Sequence, residues 1–252
     1  MSLPTHTDQQ DRGRPSAPRA GRETDRDHLA TEMRDLARVL EGEDDPDAVL
    51  TDIVSAATRM IPGAEEGSIT LVLSKREVRS QAASSELART VDALQDSTGE
   101  GPCLDAAFQH RTVRVPDMAA EQRWPSFARS AAAAGAHAML CFQLFVDGED
   151  LGALNLYART AGAFTAESEH VGLLFAAHAA VAYAGARKQE DMEQALDTRD
   201  LIGQAKGILM ERYKITGQQA FQVLIRVSNT HNRKLRDVAG ELVERGELDL
   251  SS

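Results

Sequence analysis

Cysteine is scarce in this sequence, which has only Cys103 and Cys141 among its 252 residues. They form no CxxC pair, and no cluster of Cys and His surrounds them. A disulfide framework and a structural zinc site are therefore excluded, and a reducing compartment, the cytoplasm, is expected. The sequence identifies no metal ligands and no cofactor.

Long hydrophobic runs are also missing. The most apolar stretch, residues 171–186, is 16 residues long and contains His178. A membrane-spanning helix needs about 20 apolar residues, so we expect a buried or dimerising helix here and no membrane partner. The N-terminus has no basic region followed by an apolar run, so no secretory signal is predicted.

Motifs of common enzyme classes are absent as well. The chain has no Walker loop, no GxGxxG, no HExxH and no GxSxG. Each of these motifs builds a particular phosphate cradle, metal site or nucleophile turn. Without them no catalytic residues can be assigned, and we predict that the protein is not an enzyme.

Charge is distributed unevenly along the chain. The net charge is −11, yet residues 199–236 contain eight Lys or Arg against two acids, so the remainder carries −17. Such asymmetry indicates a module that binds a polyanion, attached to an acidic body.

The first two thirds of the chain predict an α+β domain. Residues 1–27 are polar, contain three prolines and predict a disordered tail, followed by an N-terminal helix within 28–45. Two hairpins of β-like segments alternate with helices, which favours an antiparallel sheet with helices on its faces. The strand pairs are 67–74 with 77–84 and 137–146 with 150–159, and the Asp-Gly at 147–148 suits a tight turn in the second pair. The helices are 47–60 (capped by Asp47, with Val49, Leu50, Ile53, Val54 and Ala57 on its inner face), 86–95, one from Cys103, and 125–134.

A long helix is predicted after this domain. Apolar positions 171, 174, 178, 181 and 185 alternate steps of three and four, which approximates a heptad seam. A helix over 167–212 would be about 70 Å long at 1.5 Å per residue, more than one small domain needs. A second copy of the same helix would stabilise it, so we infer a parallel homodimer.

The end of the chain predicts three helices. The first is the end of the long helix; Thr216 with Gln219 forms a capping box for the second, and Asn232 is the expected cap of the third, which Gly246 ends. The expected inner residues of the second helix are Ala220, Phe221, Leu224, Ile225 and Val227 or Ser228.

Residues 199–243 resemble a known family. The segment reads "RDLIGQAKGILMERYKITGQQAFQVLIRVSNTHNRKLRDVAGELV". It is similar to the ANTAR domain, a three-helix RNA-binding module of bacterial transcription antiterminators. The resemblance implies a dimer that binds nascent mRNA bearing two stem-loops with hexanucleotide loops, so that a competing terminator hairpin cannot form.

The ANTAR resemblance also singles out residues for RNA contact. Lys206 lies between two small residues, Ala205 and Gly207, which would let an RNA loop approach closely while the lysine meets a phosphate. Ser228 and Asn232 also suit purely structural roles as a helix end and a cap. The full candidate set is Lys206, Gly207, Ser228, Asn232, Lys234 and Arg236, with Arg199, Arg212, Arg226 and Arg233 as weaker electrostatic contributors.

The preceding region resembles a GAF sensor domain of the kind fused to ANTAR in actinobacteria. The stretches "GEGPCLDAAFQHRTVRVPDMAAEQRWPSFA" and "GEDLGALNLYARTAGAFTAESEHVGLLFAAHAA" carry this likeness. We expect a GAF-type antiparallel sheet flanked by helices, then a long connecting helix and an all-α ANTAR domain, with an unidentified small-molecule ligand in the GAF domain. The expected boundaries are 46–186 for the GAF domain, 187–195 for a helical linker, 196–246 for the ANTAR domain and 247–252 for a C-terminal tail.

Two alternatives stay open. Cys103 follows Gly-Pro at a predicted helix start, where the helix dipole can lower the pKa of a thiol. The chain would then resemble small GAF-fold enzymes that reduce free methionine sulfoxide, with Cys103 attacking and Cys141 resolving. The second alternative is a helix-turn-helix DNA-binding regulator, because three short basic helices also suit that motif.

Overall fold

The computed structural model of the chain describes residue 34 and residues 45–74, 77–109 and 112–247. Apart from single positions, the predicted tail over 1–27, the predicted helix within 28–45 and the predicted tail over 247–252 lie outside these residues.

The elements follow the predicted order, with most boundaries within three residues of those expected. The helices are α1 (Pro46–Met60), α2 (Glu86–Thr98), α3 (Pro102–Gln109), α4 (Pro125–Ala134), α5 (Ala166–Tyr213), α6 (Gly217–Thr230) and α7 (Leu235–Arg245). The strands are β1 (Glu66–Ser74), β2 (Glu77–Ala83), β3 (Val113–Val115), β4 (Ala138–Val146) and β5 (Glu149–Ala158). A 3₁₀ turn spans Met118–Ala120.

One antiparallel sheet organises the first domain. Its strand order is β2-β1-β5-β4-β3, and every neighbouring pair is antiparallel. The hairpin between β4 and β5 turns at Asp147 and Gly148, which have φ values of 51° and 85°. Positive φ at both positions suits the twist of a tight hairpin, so the Asp-Gly prediction is confirmed.

Helices cover both faces of this sheet. Along β4, Leu140, Phe142 and Leu144 pack with α1 and the first half of α5, whereas Met139 and Cys141 pack with α2, α3 and α4 on the other face. This alternation is the period of two that a strand imposes. The predicted α+β architecture with a flanked antiparallel sheet is confirmed.

The start of α1 differs from the prediction. Asp45, not Asp47, is the N-cap, and its Oδ1 accepts a hydrogen bond of 3.1 Å from the backbone N–H of Asp47. Pro46 occupies the first turn, where a missing N–H costs nothing and φ is already helical. The predicted inner face is confirmed, because Val49, Leu50, Ile53, Val54 and Ala57 are all buried.

Helix α5 is one continuous helix of 48 residues that connects two cores. Thr165 caps it, and Thr165 N–H donates to Ser168 Oγ at 3.0 Å in a capping box. Near its start Gly172 packs against the sheet, where an added Cβ would lie 2.2 Å from Cζ of Phe142. Near its end Ala205 and Leu209 belong to the core of the C-terminal helices.

The predicted heptad seam is only partly exposed on α5. Val171 is 9% exposed and belongs to the core of the first domain, so its assignment to the seam was wrong. Further along the seam Leu174 and Val181 are 37% and 60% exposed. Every residue from 188 to 197 is exposed, so none of the other described residues covers this middle segment on any face.

The three C-terminal helices have a core of their own. Its buried residues are Ala205, Leu209, Ala220, Leu224, Val227, Val238, Ala239 and Leu242. The expected inner position of Phe221 was wrong, because Phe221 is only half-buried and lies outside this core. Gly246 ends α7 with φ of 72°, as predicted.

Candidate functional site

The basic module is built from the end of α5 together with α6 and α7. The turn into α6 is fixed by the predicted capping box: Thr216 N–H donates to Gln219 Oε1 at 2.8 Å, and Gln219 N–H donates to Thr216 Oγ1 at 3.3 Å. This reciprocal pair satisfies two amide groups that the first turn of a helix leaves free. The first turn of α6 is thereby fixed at Thr216.

Lys206 lies where α5 meets the start of α6. Its Nζ is 6.0 Å from the centroid of the Phe221 ring, and its Cε would be 3.6 Å from a Cβ added at Gly217. Gly207 is exposed, and nothing lies within 4 Å of a Cβ added there. Arg199 is exposed and lines the same groove as Lys206.

The turn between α6 and α7 holds the second group of candidates. Ser228 Oγ donates to the Arg233 carbonyl at 2.6 Å, and Arg233 N–H donates to the Ser228 carbonyl at 3.0 Å. Ser228 therefore has a structural role in closing the turn. Lys234 and Arg236 are exposed at the beginning of α7.

Asn232 does not cap α7, contrary to the prediction. Its φ is 48°, in the left-handed region, and Lys234 is the N-cap, without a hydrogen bond from its side chain. Asn tolerates the left-handed conformation better than other residues with a side chain. The asparagine is thus suited to the turn itself, where it is exposed.

The weaker arginine candidates differ in how far they are engaged. Arg233 Nη1 lies 2.5 Å from Glu241 Oε2, and the Glu241 side chain is only 10% exposed, so Arg233 ties the turn to α7. Arg226 is exposed on α6. Arg212 is exposed at the end of α5 and approaches the end of α7, where its Nη2 would be 3.9 Å from a Cβ added at Gly246.

The predicted residues therefore form two groups. Lys206 packs at Gly217, the first residue of α6, whereas Ser228 and the turn that follows lie at the opposite end of that helix. Eleven residue steps separate these positions, about 17 Å along the helix axis. A ligand that contacts both groups must be larger than a nucleotide.

A second candidate site lies in the first domain and was not found from the sequence. Asp92 on α2 is 5% exposed and accepts hydrogen bonds from Ser68, Ser80 and Tyr157, at 3.0 Å from Ser68 Oγ and 2.6 Å from Ser80 Oγ. Burial raises the pKa of the Asp92 carboxyl, an effect that its hydrogen bonds only partly oppose. The signal available in the sequence was an aspartate in the apolar pattern of α2.

This carboxyl adjoins a cavity of about 570 Å³, which is open to solvent. In the neighbouring core, Gln95 Nε2 and Asn155 Oδ1 have no hydrogen-bond partner among the residues that the structure describes, and neither residue lines the cavity. Buried polar groups are normally paired, so an ordered water is expected at these two atoms. The residues that line the cavity include Thr70, Arg79, Ser80, Arg89, Asp92 and Asp96.

The two cysteines lie close to this site but are fully buried. Burial, and then the charge of Asp92, raise the pKa of the Cys103 thiol to about 12. This direction is opposite to the lowered pKa expected from a helix start, because desolvation of the thiolate outweighs the helix dipole. Cys103 Sγ lies 2.8 Å from Thr70 Oγ1.

Neither a metal-binding cluster nor a membrane-spanning helix is present among the described residues. Within them no three His, Cys, Asp or Glu side chains are grouped closely enough to hold a metal ion. None of the helices described is both long and apolar enough to cross a membrane.

A sheet domain with a polar cavity, joined by one helix to a basic three-helix module, defines a two-domain signalling regulator. The chain belongs to the GAF domain family, whose family model matches residues 43–184, and an ANTAR domain follows at residues 190–243. Its architecture is that of an RNA-binding antitermination regulator with a GAF sensor. Regulators of this kind are typically not enzymes.

Solved structures share the fold of the first domain. The GAF domain of a phosphoenolpyruvate-protein phosphotransferase from Coxiella burnetii has 17% identity and a TM-score of 0.51, over 65% of this chain and 96% of that one. Free methionine-R-sulfoxide reductase from Neisseria meningitidis has 17% identity and a TM-score of 0.52, over 64% and 90%. A bacteriophytochrome from R. palustris has 12% identity and a TM-score of 0.59, over 80% and 47%.

At these identities the likeness shows the fold alone, and it transfers neither an activity nor a ligand. No curated protein matches the chain.

Proposed function

We propose that this chain is a homodimeric antitermination regulator that acts in the cytoplasm. Its two ANTAR domains bind two stem-loops with hexanucleotide loops in a nascent mRNA. The bound RNA excludes a competing terminator hairpin, so transcription continues. A small molecule in the GAF domain controls this binding, and no catalytic step is involved.

The continuity of α5 is the observation that carries the proposal. The helix packs Phe175 and Tyr183 into the core of the sensor domain and Ala205 and Leu209 into the core of the RNA-binding module, with no break between them. A helix shift or rotation at one end is therefore transmitted to the other end.

The exposed middle of α5 supports a dimer. Met192 and Leu196 are 61% and 54% exposed in a segment that no other described part of the chain covers, and Val181 is 60% exposed on the predicted seam. A solvent-exposed helix of this length gains stability from a partner helix. A parallel second copy would place two ANTAR domains side by side, one for each RNA loop.

The cavity at Asp92 supports a ligand in the sensor domain. Its lining offers the Asp92 carboxyl as a hydrogen-bond acceptor and the Arg79 and Arg89 guanidinium groups as donors. We infer a small polar ligand that supplies partners to these groups. A ligand bound here would contact α2 and the sheet on which α5 packs.

The test is RNA binding by full-length protein, measured by fluorescence anisotropy. We expect tight binding to an RNA with two hexaloop hairpins, weaker binding to one hairpin, and the weakest to duplex DNA of the same sequence. Lys206→Glu and Lys234→Glu should each lower the affinity for the two-hairpin RNA at least tenfold. Arg129→Glu, an equal charge change on the exposed surface of α4, should have little effect.

Preferential binding to duplex DNA would favour the helix-turn-helix alternative. Equal affinity of the wild type and both lysine variants, in folded protein, would overturn the assigned RNA site.

The dimer is tested separately with Val181→Glu. The side chain at this position is mostly exposed, so the substitution should leave the protomer folded. Light scattering should show a dimer for the wild type and a monomer for the variant, which should also lose its preference for two hairpins over one. A wild type that is monomeric with and without RNA would overturn the proposed dimer.

A further inference from the structure

A groove between α5 and α6 has a composition that the core of the ANTAR domain does not require. Its cavity volume is about 480 Å³, and it is lined by Arg199, Ile202, Gly203, Lys206 and Phe221. We refer to it as the α5–α6 groove. It combines one aromatic ring, two cationic side chains and a glycine.

Phe221 is left out of the core beside it. Ala220 and Leu224 on the same helix are fully buried, whereas Phe221 is half-buried and faces the groove. A phenylalanine side chain is worth about 1.5–3 kcal/mol when fully buried, so a ring in a groove forgoes part of that stabilisation. Its partly open surface is available to a flat partner.

The two cations of the groove are free to bind an anion. Among the residues that the structure describes, neither Arg199 nor Lys206 has a carboxylate within ion-pair distance. They are seven residues apart on α5, on the same face and about 10 Å apart along the axis. The Lys206 ammonium lies over the Phe221 ring, 6.0 Å from its centroid, in cation–π contact with one face.

Access to the groove from solvent is open between these two cations. Gly203 is exposed, and nothing lies within 4 Å of a Cβ added there. A planar group can therefore approach the groove along the surface of α5 at Gly203.

We propose that the α5–α6 groove holds one unpaired base of an RNA loop, stacked on Phe221, while Lys206 and Arg199 contact the phosphates on either side of it. Loop bases are unstacked and are commonly held by aromatic side chains. This inference rests on the proposed function and assigns Phe221 as the stacking residue.

Affinity and its salt dependence distinguish stacking from phosphate contact. The probe is the two-hexaloop RNA, measured with full-length protein over a range of KCl concentrations. Phe221→Leu should weaken binding about five- to hundredfold, the effect of losing one stacked base, without changing the slope of log Kd against log salt. Lys206→Gln should weaken binding and reduce that slope by about 0.7.

Phe221→Tyr is the matched control, because it keeps the ring and should bind within about threefold of the wild type. Thermal unfolding monitored by circular dichroism checks that each variant is folded. If Phe221→Leu is unfolded, Phe221→Met replaces it.

A direct readout uses 2-aminopurine placed at each loop position in turn. Stacking on Phe221 should quench its fluorescence at one position, and Phe221→Leu should relieve that quenching. A wild type that binds the RNA while folded Phe221→Leu binds equally well, with no quenching at any position, would overturn this inference alone. A wild type that does not bind the two-hexaloop RNA would overturn the proposed function instead.

Discussion

Arg187 on α5 and Glu149 at the start of β5 form a forked ion pair. Arg187 Nη2 lies 2.7 Å and 2.8 Å from the two carboxylate oxygens of Glu149. Immediately after Arg187 begins the segment 188–197, in which every residue is exposed. The pair thus anchors α5 to the sensor domain directly before the exposed segment. A change in the position of β5 would reach α5 through this contact.

Glu149→Gln is expected to loosen the helix locally without unfolding the domain. Both side chains are substantially exposed, 39% for Arg187 and 58% for Glu149, so the free energy of unfolding should change by less than about 1 kcal/mol. Amide hydrogen exchange near Arg187 should become faster, because the helix loses a tether there.

Glu211→Gln is the matched control for this experiment. It removes an exposed ion pair with Lys214 at the other end of α5 and should leave exchange near Arg187 unchanged. Unchanged exchange near Arg187 in Glu149→Gln would show that the ion pair does not restrain the helix.

Asp92 should contribute less to the stability of the protein at neutral pH than at acid pH. Its pKa is raised above the ordinary 3.8 by burial, so the unfolded state loses this proton at lower pH than the folded state does. The contribution of the carboxyl to stability therefore falls as the pH rises from about 3.8 through the folded-state pKa. The free energy of unfolding of Asp92→Asn, measured by urea denaturation, should accordingly increase relative to that of the wild type between pH 4 and pH 8.

Asp96→Asn is the control for this pH dependence, because Asp96 lies one turn away on the same helix and is exposed. Its stability relative to the wild type should not depend strongly on pH. If the free energy of unfolding of Asp92→Asn instead decreases relative to that of the wild type between pH 4 and pH 8, the folded protein stabilises the Asp92 carboxylate and its pKa is lowered.

Elements set by local chemistry were predictable from the sequence. Helix α4 was predicted with the bounds that it has, since Pro125 starts it and Gly135 ends it in the left-handed conformation. The Asp147-Gly148 hairpin and the Thr216 capping box were predicted on the same grounds. In each case the signal lies within a few residues.

The errors arose where distant packing decides the outcome. Val171 fits the seam by spacing, but the sheet buries it, and Phe221 fits the inner face of α6, where smaller neighbours take the core positions. The Asp92 site joins side chains from β1, β2, β5 and α2, up to 89 residues apart for Ser68 and Tyr157. Spacing within one segment carries no information about such a cluster.

Cys103 is expected to be chemically inert in the folded protein. With a thiol pKa of about 12, only about one thiol in ten thousand is ionised at pH 8, and the thiolate is the reactive form. A disulfide reagent such as DTNB should label neither cysteine in the native protein at pH 8 and both in guanidinium chloride. Ala133→Cys, at an exposed position of α4, supplies a reactive thiol as the positive control.

Rapid labelling of one native thiol, abolished by Cys103→Ser, would contradict this expectation. It would make the thiol redox alternative worth testing by an assay for reduction of free methionine sulfoxide.

Substitution of Gly207 should change helix stability and RNA binding in opposite directions. Nothing lies within 4 Å of a Cβ added at this position, and the glycine is exposed on α5. Gly207→Ala should therefore stabilise the protein by up to about 1 kcal/mol, the difference in helix propensity. The same substitution should weaken binding to the two-hexaloop RNA, since the added methyl group keeps the loop from the helix surface beside Lys206. Wild-type affinity in Gly207→Ala would mean that RNA does not approach α5 at this glycine, and the contact surface would then be confined to the α5–α6 groove and the turn before α7.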